Sequence, residues 1–168
     1  MFLNKHYAQA SVAFRRAGRD REAAICDAYL LRDKARSMST AASAARVQTF
    51  ITAANAFFHC ARDSPPKQAK ERLVYYGIAG ECYLEGHDLK NAGDSYRMAE
   101  RYTAAARTYR EGGHFDEMVE VITRHRAAID GGLLERLTMA AQMHYFKVDF
   151  NSLLVSRSLT LFDLVSKH

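Results

Sequence analysis

Between Tyr83 and Ile122 large side chains return every 13 residues, at Tyr83, Tyr96, Tyr109 and Ile122, and small ones return in step at Gly86, Ala99 and Gly112. A third register runs through Ala92, Ala105 and Met118. Self-similarity at fixed spacing is the mark of stacked-repeat architecture, so this recurrence restricts the fold more than any other feature of the chain. At about 3.6 residues per turn one unit holds roughly three helical turns and a tight link, so each unit is a short helix and two make a hairpin. The large residue is the knob buried between neighbours, and the small residue three positions later clears space where helices cross. Gly86 and Gly112 are expected to take the left-handed conformation that ends a helix, and Asp88 to cap the next start.

The rest of the chain agrees with helix. Its two prolines are adjacent, Pro65 and Pro66, no alternating β-branched run is present, and alanine is abundant in stretches such as "AASAARVQTFITAANAFF". Alanine is the best helix former and lets helices approach closely. The expected fold class is therefore all-α, with helices near Phe2 to Ala17, Asp20 to Ala35 and Thr40 to Arg62, a fourth ending about Leu84, and then Leu89 to Ala99, Tyr102 to Glu111 and Phe115 to His125. In "GRD" the glycine stops one helix and Asp20 caps the next; in "SPP" Ser64 is read as a cap. Val47, Ile51, Ala54, Phe58 and Ala61 form the expected apolar stripe of the third helix, and Leu73, Tyr76, Gly80 and Tyr83 that of the fourth. "DGG" at Asp130 to Gly132 breaks the chain before a helix carrying Leu134, Leu137 and Ala141.

Residues 1–148 are read as one helical-repeat domain and 149–168 as a C-terminal capping helix or tail. The tail's leucines and Phe162 are too many apolar groups to leave in water, so Asn151 to Lys167 is expected to fold back on the Leu134 to Ala141 helix or to pair with a second copy, making a homodimer through the tail.

One further pattern carries a resemblance. Small, three residues, aromatic, two residues, small reads Ala10, Phe14, Ala17; Ala54, Phe58, Ala61; Ala92, Tyr96, Ala99; and Ala105, Tyr109, Gly112. That spacing resembles the second helix of a tetratricopeptide (TPR) repeat, and Tyr76, Ala79, Gly80 and Tyr83 stand where the first helix of that family has its large, aliphatic, glycine and aromatic positions. Alanine occupies position 104, where the family often has proline, so the expected architecture is a TPR-like α-solenoid of stacked antiparallel hairpins. The segments "REAAICDAYLLRDKAR" and "YYGIAGECYLEGHDLKNAGDSYRMAERYTAAARTYREGGHFDEMVEVI" also look like the helical region of the large TPR and ankyrin repeat-containing proteins, especially fungal forms. In those proteins the region lies downstream of a superfamily-1, UvrD-like helicase domain. The residues that carry this likeness are packing residues, and no GxxxxGKS or GxxxxGKT phosphate loop occurs in the 168 residues, so no ATP hydrolysis is expected of this chain.

In TPR repeats the first-helix positions line a groove, and the resemblance places Val74, Gly77, Glu81 and Leu84 there as partner-binding residues. With no Lys or Asn among them, the carboxylate clamp of some family members is not reproduced. Glu81 would repel a terminal carboxylate, so a protein or peptide partner that is a basic or amphipathic helix fits better. The alternative is a nucleic-acid surface. Arg97, Arg101, Arg107 and Arg110, interleaved with Tyr102 and Tyr109, have the residue types that hold phosphates and stack on bases. A formal charge of +5 is compatible with either, since basic residues are interspersed with acidic ones.

Chemistry is sparse elsewhere. His59 beside Cys60, and Cys82 with His87, lack the four ligands that zinc takes, and the three cysteines, Cys26, Cys60 and Cys82, read as reduced core thiols. His114 with Asp116 and Glu117 falls at a helix start, where acids favour the macrodipole. No catalytic, cofactor or metal site is expected. No stretch approaches the roughly 20 apolar residues of a membrane span, and an intracellular place, cytoplasmic or nuclear, is the simplest expectation. The function expected is a non-catalytic scaffold for protein–protein interaction, one piece of a larger multidomain protein. The alternative is an accessory nucleic-acid-binding region of a helicase-like parent.

Overall fold

The computed structural model describes the backbone of residues 2–39 and 43–165 and the side chains of residues 6–39 and 43–148. The described residues form eight α-helices and no strand: α1 (Phe2–Arg16), α2 (Asp20–Ser37), α3 (Ser43–Arg62), α4 (Ala69–Glu85), α5 (Leu89–Met98), α6 (Tyr102–Glu111), α7 (Phe115–Arg124) and α8 (Gly131–Val165). Each helix packs on the next in the chain, and α6 also reaches α8. The third helix was expected from Thr40; residues 40–42 lie outside the described residues.

The 13-residue period is a helix of ten residues plus a link of three, as in α5, α6 and α7. One turn serves four junctions. The amide of Asp88 donates to the carbonyl of Tyr83 (3.0 Å), Arg101 to Tyr96 (2.9 Å), His114 to Tyr109 (2.8 Å) and, at the chain start, Arg19 to Phe14 (2.8 Å). The residue before each donor is left-handed: His87 (φ 57°), Glu100 (φ 59°), Gly113 (φ 73°) and Gly18 (φ 69°). This is the helix-ending arrangement in which a bond from beyond the left-handed residue closes on the carbonyl of the last full turn. At Tyr83, Tyr96 and Tyr109 the aromatic residue thus serves twice, its carbonyl closing the turn and its ring filling the core.

Gly18, the expected stop of the first helix, is left-handed, but after α4 and α6 the left-handed residue sits one place later than the sequence reading put it. Gly86 (φ −83°) and Gly112 (φ −80°) are ordinary last-turn residues. Their smallness answers to crowding: a Cβ on Gly86 would lie 2.8 Å from Cγ1 of Ile51, and one on Gly112 would lie 2.9 Å from Cβ of Leu89. Asp88 does cap α5, accepting from the amide of Asn91 at 3.1 Å, and Asp130 caps α8 in the same way through Leu133 (3.0 Å). Asp20, expected as a cap, is the first residue inside α2, with Arg19 at the cap. Ser64 caps nothing either: its hydroxyl donates to the Cys60 carbonyl and accepts from Arg21, and a one-turn 3-10 segment, Pro66–Gln68, precedes α4.

The core is built of tyrosine, phenylalanine and alanine. Phe50 and Phe57 of α3 meet Ala28 and Ala35 of α2 and Ala79, Cys82 and Tyr83 of α4. Further on, Tyr96, Tyr109, Met118, Val121 and Ile122 join Leu133 and Leu137 of α8. The stripe expected for α3 is displaced. Phe50, Ala53, Ala54, Phe57, Cys60 and Ala61 are the buried set, whereas Val47, Ile51 and Phe58 are half-buried, because α3 is packed between α2 and α4 and its apolar band spans both contacts. Two glycines seat two tyrosines at the same period. A Cβ on Gly80 would fall 2.8 Å from the Tyr96 ring, and one on Gly93 would fall 2.4 Å from the Tyr109 ring.

Beyond Ala141 the helix α8 runs on without a turn to Val165. The expected return of residues 151–165 onto the Leu134 to Ala141 turns is therefore absent, since a continuous helix carries its end away from its start. The side chains on which the capping or pairing expectation rests lie outside the described residues. Within them, Met139, Met143 and Phe146 share the outward side of α8, the last two 72% and 73% exposed.

Candidate partner-binding face

The four α4 residues proposed for the groove are on the surface to different degrees. Val74 is 50% exposed and Leu84 37%, while Gly77 is buried. What buries Gly77 is Arg101. This residue precedes α6 at its cap, and its side chain runs back over α4 so that a Cβ on Gly77 would lie 2.8 Å from the guanidinium carbon. The same guanidinium donates to Glu81 at 3.0 Å. A Cβ at position 77 would push the guanidinium aside, and the pair, both about half-exposed, contributes at most about 1 kcal/mol to stability. Its larger consequence is electrostatic: Glu81 is already neutralised within the chain, as Glu85 is by Arg46 (3.4 Å). The attraction of this surface for a basic helix is correspondingly reduced.

The four arginines proposed for nucleic acid do not form one strip. Arg97 is turned to Asp94 (3.9 Å) and to the hydroxyl of Tyr109, which donates to Asp94 at 2.6 Å. Arg101 and Arg107 line an open depression of about 520 Å³ with Leu84 and Tyr102. Arg107 and Arg110 line another, of about 510 Å³, with Arg136 of α8. A third depression, of about 250 Å³, adjoins the first at Leu84 and Tyr96 and extends to Phe50 and Arg36. The three run together along α4, α6 and the start of α8.

The tyrosines interleaved with these arginines are engaged internally. Tyr109 is 0% exposed, and burial followed by its bond to Asp94 holds its hydroxyl well above the usual tyrosine range. Tyr102 is stacked on His125 with 3.6 Å between ring centres.

Arg136 was missed in the sequence because it lies in another helix, although the signal was present: it stands 26 residues, two periods, after Arg110. Gly93 was missed as well, though it follows Gly80 by one period.

The remaining constellations fall apart in space. Cys60 and Cys82 are buried while His59 and His87 are exposed, and among the described residues no group of three or more His, Cys, Asp or Glu could hold a metal ion. Burial pushes the Cys82 thiol up to about 11, and it raises Cys26 and Cys60 as well. A thiol so held is a poor nucleophile. Glu117 is held below the usual carboxylate range by its backbone hydrogen bond at the start of α7 and then by Lys90. His114 occupies the cap position of that helix. No helix among the described residues is long and apolar enough to cross a membrane. Compared with protein-family models, with curated proteins and with solved structures, the chain has no match in any of the three.

Proposed function

We propose that this chain is a non-catalytic scaffold, a TPR-like solenoid of stacked hairpins that docks a protein partner across the α4–α6–α8 face, and that it is one piece of a larger intracellular protein. Three things support the solenoid reading: helix-by-helix packing, one turn geometry at four junctions, and glycine–tyrosine seats repeated at the period. The observation that carries the function is the run of three adjoining open depressions, with Leu84 shared between two of them and Arg107 between the next two. Shallow, continuous surfaces of this kind suit an extended or helical segment laid along them, whereas small-molecule sites bury most of their ligand.

The second reading, an accessory nucleic-acid surface of a helicase-like parent, draws its support from the arginines. It has less from the rings, since binding of single strands relies on exposed aromatic faces. Capture from cell lysate separates the two. Immobilised wild-type chain is expected to retain a protein after nuclease treatment, and Leu84→Glu, with an unchanged melting temperature, is expected to lose it. Retention that vanishes with nuclease, or that ignores Leu84→Glu, refutes docking of a protein on this face.

A further inference from the structure

Resting on that reading of the face, we infer that the partner presents an acidic, amphipathic segment whose carboxylates are held by Arg107, Arg110 and Arg136. Arg107 and Arg110 are one turn apart on α6, and α8 brings Arg136 to the same depression, which also has Leu133 and a single carboxylate, Glu111, in its lining. Some arginines elsewhere are answered by acids, Arg15 by Asp27, Arg46 by Glu85, Arg101 by Glu81 and Arg124 by Glu120, while others such as Arg16, Arg36 and Arg72 are not, among the described residues. What sets Arg107, Arg110 and Arg136 apart is that all three line one depression. Among the described residues no carboxylate lies within 4.0 Å of Arg107, Arg110 or Arg136. The Arg136 side chain makes one bond, from Nε to the Gly132 carbonyl of its own helix at 3.2 Å, which leaves the outer edge of the guanidinium to a ligand. Three guanidiniums around one carboxylate make a local excess of positive charge, and the planar fork of arginine matches carboxylate and phosphate oxygens bidentately.

Peptide carboxylates fit this surface better than a phosphate chain. A polyanion with evenly spaced charges would lie against Glu111 and, in the adjoining depression, Glu100. A peptide can set its acids opposite the arginines and place apolar side chains toward Leu84 and Val74. The tyrosines of the face offer little for base stacking: Tyr96 and Tyr109 are buried, and Tyr102 is half-buried with one face stacked on His125.

The test uses the full chain and three labelled probes read by fluorescence anisotropy: an amphipathic peptide of Glu, Leu and Ala, the same peptide with Lys for Glu, and an oligothymidylate. The acidic peptide is expected to bind tightest. Arg110→Glu and Arg136→Glu should each weaken it about tenfold or more, as loss of a charge-assisted pair does. Arg16→Glu makes the same change of net charge on α1, where Arg16 is exposed, and should leave binding unchanged. Arg110→Gln and Arg136→Gln serve if a reversal disturbs the melting temperature. Three results overturn the inference: no binding of the acidic peptide, equal loss in Arg16→Glu, or tighter binding of the oligothymidylate with the same dependence on Arg110 and Arg136. If the acidic peptide fails while Leu84-dependent capture of a protein persists, the partner's chemistry is wrong and the docking face stands. If both fail, the face itself is wrong.

Discussion

Gly93→Ala gives opposite signs for a local and a tertiary account of the same residue. Gly93 lies inside α5, where replacing glycine by alanine should stabilise by about 1 kcal/mol through helix propensity alone. In the folded chain the new methyl would fall 2.4, 2.6 and 2.9 Å from Cε1, Cδ1 and Cζ of Tyr109, against the roughly 3.5–4.0 Å of an ordinary carbon contact. The ring cannot swing aside cheaply. It is fully buried, its carbonyl closes the turn into α7, and its hydroxyl donates to Asp94. Overpacking of this kind costs about 1–3 kcal/mol, and a hydrogen bond to a carboxylate lost in the adjustment adds about 1–2. Subtracting the propensity gain leaves a net loss of about 1–4 kcal/mol, or about 2–4 °C per kcal/mol for a chain of this length. Urea denaturation followed by far-UV circular dichroism measures it, alone and in a cycle with Tyr109→Ala. With the ring gone, Gly93→Ala should turn stabilising by about 1 kcal/mol. A Gly93→Ala chain as stable as wild type, or a coupling below about 0.5 kcal/mol, would refute the seat.

Tyr96→Ala and Tyr109→Ala should each lose about 3–5 kcal/mol in the same assay, and a loss under about 1 kcal/mol would overturn their core role. Glu100→Gly relieves a left-handed non-glycine residue and should raise stability by about 0.5–1 kcal/mol, the strain of about 1–2 being offset in part by unfolded-state entropy; a lower melting temperature would contradict it. The Cys82 thiol titrates near 9 unfolded and about 11 folded, so above pH 9 the unfolded chain holds fewer protons and stability falls as pH rises. Cys82 should contribute about 2 kcal/mol of the loss between pH 9 and pH 11, and Cys82→Ala should make that slope shallower, the raised Cys26, Cys60 and Tyr109 accounting for what remains. In native protein at pH 8 all three buried cysteines should react with a thiol reagent far more slowly than in urea; fast labelling of Cys82 would show an opening that the packing does not predict.

Helix class, the order of helices up to the Asp130 break and the tyrosine positions were legible in the chain because each depends on neighbours within a few residues. Propensity, capping and the 13-residue period are all one-dimensional properties. The period even held the two features that were overlooked, Gly93 one step after Gly80 and Arg136 two steps after Arg110. The left-handed residue was read correctly at Gly18 but missed by one place at Gly86 and Gly112, since Gly86 and His87 both suit a turn in sequence and only the proximity of Ile51 shows which of them is glycine for want of space. The composition of the candidate face was beyond the sequence for a similar reason. Arg97 and Arg110 share a register, yet they sit on consecutive helices with different surroundings, one against Asp94 and Tyr109, the other open beside Arg107 and Arg136. A register fixes where a residue stands along its own helix. Which side chains cross to the next helix, as Arg101 does to lie over Gly77 and neutralise Glu81, depends on how closely the two backbones approach, and that distance is set by the packing of many residues at once.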